Sequence, residues 1–400
     1  MPYPRSPAAI EAQIKTVAAA HPAICTRTDL PHPTHEKRKV SVVKIGKGGG
    51  QRRVVVITGG HHAREWAPPD LLLTLIQRLL TAYDDDTSLT VPAFTDVNPV
   101  PPITYPPYQL PLPDVRRIVD RLDVYIVPLV NPDGRNFSMA PGGNKEWRKN
   151  RRPQPAGQSP ACKGVDPNRN YPVPGDYQLY YSVAAEPAVS ASKDPCEFQT
   201  YVGPQLGAEP EVQNIIGLLT SMTVDYFVDV HSYAHKILFS WGIEGSQSDD
   251  LTQNWRNVLW DRGSPAKGRD GKPGGFYNEY IPNDPPERLQ DVHRLIAGEM
   301  RDAMVRAAGG DPRARERSSY GVGPSADLYP APGVSTEYAF SRNLFPGTLR
   351  PLISLCIECG SALNLEGGFR PPTFIFPKIE REVQIALLTL LARAAAQPRP

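Results

Sequence analysis

Val54-Val55-Val56-Ile57-Thr58-Gly59-Gly60-His61-His62-Ala63-Arg64-Glu65-Trp66 sets the reading of this chain. Its first five residues are a β-branched run with the composition of a buried strand. Polar residues follow at once, with a His-x-x-Glu at His62 and Glu65 and a second histidine, His61, just before it. Imidazole nitrogen and carboxylate oxygen both suit zinc, and a site with three protein ligands keeps one position open. A lone His-x-x-Glu is common in helices, so its weight here comes from standing directly after a strand.

Similar apolar runs recur at Val124–Val130, Val224–Val230, Ile237–Ser240 and Leu352–Ile357. Between them lie helical periodicities at Asp70–Tyr83 (opened by Pro68-Pro69), Asp114–Leu122, Glu209–Thr220, Glu287–Ala308 and Ile379–Ala396. Strands alternating with helices predict an α/β fold, a single domain over residues 1–400. Its sheet is expected to be mixed, mostly parallel and twisted, with helices on both faces. Surface insertions are expected near 84–113, 150–160 and 341–351. In such sheets ligands sit outside the carboxyl ends of the strands. Four strand ends carry polar groups: His62 and Glu65, Asn131, His231, and Glu358.

Composition narrows the function classes. The 400 residues carry 44 basic and 42 acidic side chains, a net charge of +2, so no nucleic-acid or membrane partner is expected. The run Arg148-Lys149-Asn150-Arg151-Arg152 is the nearest approach to a basic cluster and also reads as a solvated loop. No segment reaches the ~18 consecutive apolar residues of a membrane span. The first residues lack the apolar core of a secretory leader, which suits the cytoplasm if the sequence is complete. Five cysteines leave at least one thiol unpaired, and the Cys356-x-x-Cys359 pair reads as part of a buried strand. Among 45 prolines, those crowded into Val91–Pro113 predict a loop there rather than a regular element.

The motifs together resemble the M14 zinc carboxypeptidases, the family of pancreatic carboxypeptidases A and B. The residues that carry the resemblance are His62-Ala63-Arg64-Glu65, Asn131-Pro132-Asp133-Gly134, Trp147-Arg148-Lys149, Gly164-Val165-Asp166-Pro167-Asn168-Arg169-Asn170 and His231-Ser232-Tyr233. They stand in the family's order at near-family spacing, and the likeness runs from about residue 8 to about 395. It implies one Zn2+ per chain, held by His62, Glu65 and His231, with His61 set aside as ligand. It also implies that Asp166 orients His62.

The resemblance further implies hydrolysis of the last peptide bond of peptide or protein C-termini by a monomer. A zinc-activated water attacks, and Glu358 is the general base. Glu337 is its rival, standing at a structural acidic position of the family. Arg148 resembles the arginine that stabilises the oxyanion, Asn168 and Arg169 the pair that clamps the substrate carboxylate, and Tyr329 the mobile tyrosine over bound substrate. Arg64 is expected to contact substrate backbone further from the cut. Cys162 and Cys196 match the positions of a family disulfide, which would suit secretion. The likeness to the catalytic domain begins almost at once, so the chain is expected either to be made active or to have been processed from a form with an inhibitory pro-segment.

The residue at the floor of the terminal side-chain pocket corresponds to Thr336, with Gly242, Ala331 and Cys356 as neighbours. This predicts a neutral or hydrophobic terminal preference. Two alternatives keep the scaffold and change the activity: a zinc hydrolase of peptidoglycan peptides or N-acyl amino acids, and a non-catalytic zinc-binding homologue. Arg148, Asn168, Arg169 and Tyr329 favour the peptidase over the first, and Glu358 argues against the second.

Overall fold

Burying an apolar run on both faces requires a strand between two layers, and residues 53–59 occupy that position. In the computed structural model, residues 3–172, 189–240, 246–247, 278–279, 289–325, 328–341, 352–363 and 365–397 are described. The central sheet of the described residues has eight strands. They are β1 (Cys25–Asp29), β2 (Ser41–Ile45), β3 (Arg53–Gly59), β8 (Leu122–Val127), β9 (Tyr226–His231), β10 (Lys236–Phe239), β13 (Gly321–Pro324) and β14 (Ile353–Glu358). Their order is β1-β2-β8-β3-β9-β14-β10-β13. The centre is parallel, β8 with β3, β3 with β9 and β9 with β14, whereas β1–β2, β2–β8 and β14–β10 are antiparallel. Residues 246–247 and 278–279 (β11 and β12) form a separate two-residue parallel ladder.

The twofold alternation along β3 divides the core. Val55 and Ile57 face the larger layer, built from α1 (Pro7–Ala20), α2 (Ala67–Asp84), α3 (Leu112–Arg121), α6 (Leu289–Ala307) and α9 (Phe376–Ala396). Val54 and Val56 face the other layer, where α5 (Pro210–Thr220) and α8 (Ser335–Ser341) pack. Helices on both faces leave the carboxyl ends of the parallel strands as the open edge. Prolines at its first positions start α2, where a missing N–H costs nothing.

Several sequence expectations shift. Both β9 and β14 extend one residue further than read, so His231 and Glu358 are the last residues of their strands. The elements α1, β1 and β2 were not anticipated. The apolar stripe of α1 is only Ile10, Ile14 and Val17, and β1 is a polar edge strand. The proline-rich stretch is not a plain loop. It holds two nested antiparallel ladders, β4 (Leu89–Val91) with β7 (Tyr108–Leu110) and β5 (Phe94–Asp96) with β6 (Ile103–Tyr105). Each strand is three residues long and largely proline-free, so the prolines punctuate the ladders without removing their donors. Most of the insertion expected near 341–351, and Gly242, lie outside the described residues. No helix among the described residues is long and apolar enough to cross a membrane.

Candidate active site

β3 ends at Gly59, and the chain turns at Gly60 (φ +71°) so that His62 and Glu65 meet across one turn. His62 Nδ1 lies 2.5 Å from Glu65 Oε1. At the end of β9, His231 Nδ1 lies 3.0 Å from Glu65 Oε2 and 3.2 Å from His62 Nδ1. One donor atom from each of the three falls within 4.8 Å of the others, and all three residues are buried. His61 is turned away: its Nδ1 faces Asp229 (3.1 Å) and its Nε2 the Tyr171 hydroxyl (3.0 Å).

Carboxylates stand behind both convergent rings. His231 Nε2 is 2.8 Å from Asp229 Oδ2, and His62 Nε2 is 3.3 Å from Asp166 Oδ1. Burial opposes charge on His231, but Asp229 and Glu65 raise its pKa well above the ordinary histidine value. Asp166 stays ionised despite burial because Arg148 and His62 hold it well below the usual carboxylate range. Asp166 also caps the start of the short helical turn Pro167–Arg169, accepting from the backbone N–H of Asn168 (2.9 Å).

A cleft of about 290 Å³ opens in front of the trio, and its walls include Arg64, Glu65, Arg148, Tyr329 and Glu358. Arg148 donates Nε–H to Asp166 Oδ2 (2.8 Å), while its buried Nη2 has no partner among the described residues. Burial raises the carboxyl of Glu358 to about 7, with Glu65 adding repulsion and His231 and Arg148 pulling the other way. Arg64 stacks 4.0 Å over the Phe369 ring and donates to Gln199 Oε1 (3.0 Å). Tyr329 is 39% exposed at the rim.

Three expected substrate residues sit behind this wall. Asn168 Nδ2 is 3.2 Å from His231 Nε2, and its Oδ1 accepts from the Ser335 backbone N–H (2.8 Å). Arg169 is buried; it donates Nη1–H to the Asn168 carbonyl (2.6 Å) and Nε–H to the Ser190 carbonyl, and its guanidinium lies 5.8 Å from the Tyr329 ring centre. Thr336 is buried within α8, its carbonyl accepting from the Ser354 hydroxyl (2.9 Å). Glu337 is buried in the same helix, away from the cleft lining. Cys162 and Cys196 form a disulfide, and Cys356 and Cys359 are buried free thiols.

The family model for zinc carboxypeptidases matches residues 10–97 and 106–386. The chain belongs to the M14 zinc carboxypeptidase family. It is 25% identical to carboxypeptidase B of Astacus astacus over 254 residues, 62% of this chain and 66% of that protein. It is 26% identical to carboxypeptidase A4 of Mus musculus over 339 residues, 84% of this chain and 59% of that one. The match to carboxypeptidase A2 of Rattus norvegicus, 26% identical, spans 47% of its length. The chain thus spans between about half and two thirds of these relatives. The fold is similar to that of thrombin-activatable fibrinolysis inhibitor (TM-score 0.67, 20% identity, 98% of this chain and 75% of that one). It is also similar to carboxypeptidase A of Helicoverpa armigera (TM-score 0.64, 20% identity, 98% and 74%).

The family implies zinc, and the trio fits it. The outer nitrogens of His62 and His231 face carboxylates, and both Nδ1 atoms converge on Glu65. The raised pKa of His231 puts a proton between its Nδ1 and Glu65; a cation held by the trio would take that proton's place. His62, Glu65 and His231 are the residues that would hold it.

Some cleft residues carried no readable signal. Ser190 and Gln199 line the wall from remote segments without a motif. Asp229 was missed but had one: in Val228-Asp229-Val230-His231 it sits two residues before the histidine, on the same strand face.

Proposed function

We propose that this protein is a zinc-dependent carboxypeptidase that hydrolyses the C-terminal peptide bond of peptides, with a neutral or hydrophobic terminal preference. The observation that carries the reading is the shared cleft: Glu358, Arg148 and Tyr329 surround the open side of the His62–Glu65–His231 trio. Zinc bound there supplies Lewis-acid polarisation of the scissile carbonyl and of water.

The chain's own groups supply the rest. Among the described residues Glu358 is the one carboxylate of the cleft wall besides Glu65, and it takes a proton from water and returns it to the leaving amine. The unpartnered Nη2 of Arg148 is a fixed cationic donor for the carbonyl oxygen as negative charge develops on it. Arg64, held on Phe369 and Gln199, orients substrate backbone at the mouth. Asn168 and Arg169 receive the terminal carboxylate once Arg169 exchanges its carbonyl partners for it, a fork suited to a carboxylate. Tyr329 covers the bound end. Thr336 brings no charge to pair with a basic terminal side chain. The Cys162–Cys196 disulfide supports an oxidising compartment.

Digestion of a peptide panel read by mass spectrometry, with and without a chelator, tests this. Single-residue loss from C-termini that stops with the chelator is expected. Cleavage confined to N-acyl amino acids or cell-wall peptides would replace the substrate class. Strong preference for terminal Lys or Arg would refute the assignment of Thr336.

A further inference from the structure

Asn150, two residues after Arg148, spends its whole hydrogen-bonding capacity inside the protein. Its Nδ2 donates to Glu209 Oε2 (2.7 Å) and to Glu211 Oε2 (3.0 Å). Its Oδ1 accepts from the backbone N–H groups of Arg152 (3.1 Å) and Val165 (2.9 Å). Its own N–H donates to the Val165 carbonyl (2.8 Å), and its carbonyl accepts from Trp147 Nε1 (3.2 Å). Asn150, Glu209 and Glu211 are all fully buried.

The two carboxylates come from the start of α5, an element that contributes nothing to the cleft wall. Arg152 Nη1 (2.6 Å) and His35 Nε2 (2.8 Å) satisfy Glu209 from its other sides, whereas Glu211 Oε1 has no partner among the described residues. A buried cluster of this kind is a poor source of stability, because desolvation offsets the attraction and an apolar filler serves as well. What it does supply is a fixed position.

That position is shared by both sides of the Arg148–Asp166 pair. Asn150 ties the segment carrying Arg148 to Val165, the neighbour of Asp166, through two hydrogen bonds. The two segments are so close at Gly164, held at a φ of +88°, that a Cβ there would sit 2.6 Å from the Asn150 carbonyl oxygen. Arg148 and Asp166 then meet at 2.8 Å, and Asp166 faces His62.

We infer that Asn150, clamped by Glu209 and Glu211, is a positioning residue that sets the aim of Arg148 and the placement of Asp166. The link to turnover rests on the proposed carboxypeptidase reading; the link to Arg148 geometry does not. Small misplacements of such a group are costly in rate, on the order of 10²-fold for about 1 Å.

The experiment uses the zinc-loaded full chain labelled with 15N-arginine, the Arg148 Nε–H resonance being assigned by its loss in Arg148→Lys. In Asn150→Ala that resonance moves or broadens, and kcat falls by roughly 30- to 100-fold with KM little changed. In an Arg148→Ala background the same substitution costs clearly less, because the part of its effect that passes through Arg148 is already gone. Glu211→Ala keeps Asn150 and the fold while removing one clamp, and lowers kcat by about tenfold; Glu211→Gln, still able to accept from Asn150, restores it. An unchanged Arg148 resonance in Asn150→Ala and Glu211→Ala overturns the inference. So does an equal loss of kcat with and without Arg148. A wild type inactive on all peptide C-termini overturns the proposed function instead, and the resonance still decides the positioning role.

Discussion

Glu358 and His231 are register partners at the carboxyl ends of two adjacent parallel strands, β14 and β9. Their backbones stay bonded beyond the pair, Cys359 donating its N–H to the His231 carbonyl (2.8 Å). A slip of one residue would bring Ile357 or Cys359 opposite His231 and turn Glu358 to the other face of the sheet. The separation of the proposed base from the metal trio is therefore set by sheet register and not by a flexible loop.

Replacing Glu358 by Gln keeps the shape of the cleft and removes the proton acceptor. Turnover should fall by about 10²- to 10⁴-fold while zinc content stays at that of the wild type. Steady-state kinetics and metal analysis on the same sample check this. Loss of zinc in parallel with activity would contradict the assignment.

The pH dependence of kcat/KM has a worked sign. Glu358 must be ionised to accept a proton, so activity falls as pH drops through its pKa. Burial and Glu65 raise that value to about 7, and a cation beside Glu65 would add positive charge that lowers it. The acid limb should lie at or below pH 7, and the limb measured for Arg148→Ala should move upward, because Arg148 favours the ionised form.

Arg148→Ala deletes the unpartnered Nη2 donor of the cleft. The loss is expected in kcat, about 10²- to 10³-fold or roughly 2.7–4 kcal/mol, with KM changed little. A rise in KM at constant kcat would show that Arg148 contributes only to substrate binding.

Asp229 holds the outer nitrogen of His231 and also receives the hydroxyl of Thr58 (2.8 Å). Asp229→Asn should weaken zinc affinity by about 10- to 100-fold without removing a ligand. Competition with a chromophoric chelator measures it. An affinity equal to wild type would make Asp229 a packing residue.

Glu211 gives a stability prediction that needs no activity. Burial and neighbouring Glu209 raise its pKa from an ordinary 4.5 to about 7. Between those values the folded chain keeps the proton and the unfolded chain has lost it, so the group makes stability fall as pH rises through that window. Glu211→Gln should remove this slope and gain up to roughly 3 kcal/mol relative to wild type at pH 8, with little gain at pH 4. Urea unfolding at the two pH values checks the sign.

Much of the site was legible because its chemistry is local. His62 and Glu65 stand three apart in one turn, and the β-branched runs mark the strands that deliver them and His231 and Glu358. The proline-rich stretch misled, since proline content reports lost donors and not the three-residue segments between prolines that still pair. The edge strand β1 was illegible for another reason. An edge strand buries less, and the polar β1 shows no apolar alternation.

Contiguous residues determined the donor types, their spacing within a turn and the apolar runs that must be buried, because these depend on nearest neighbours and on strand and helix periods. Only the tertiary structure decided which nitrogens converge. His62 and His231 are 169 residues apart, and their 3.2 Å approach follows from strand order and register. It also decided that His61 turns to Asp229 and Tyr171, and that Asn150 is clamped from α5. Those contacts join segments whose sequences carry no mark of each other, since a hydrogen bond across the fold constrains position without imposing a local pattern.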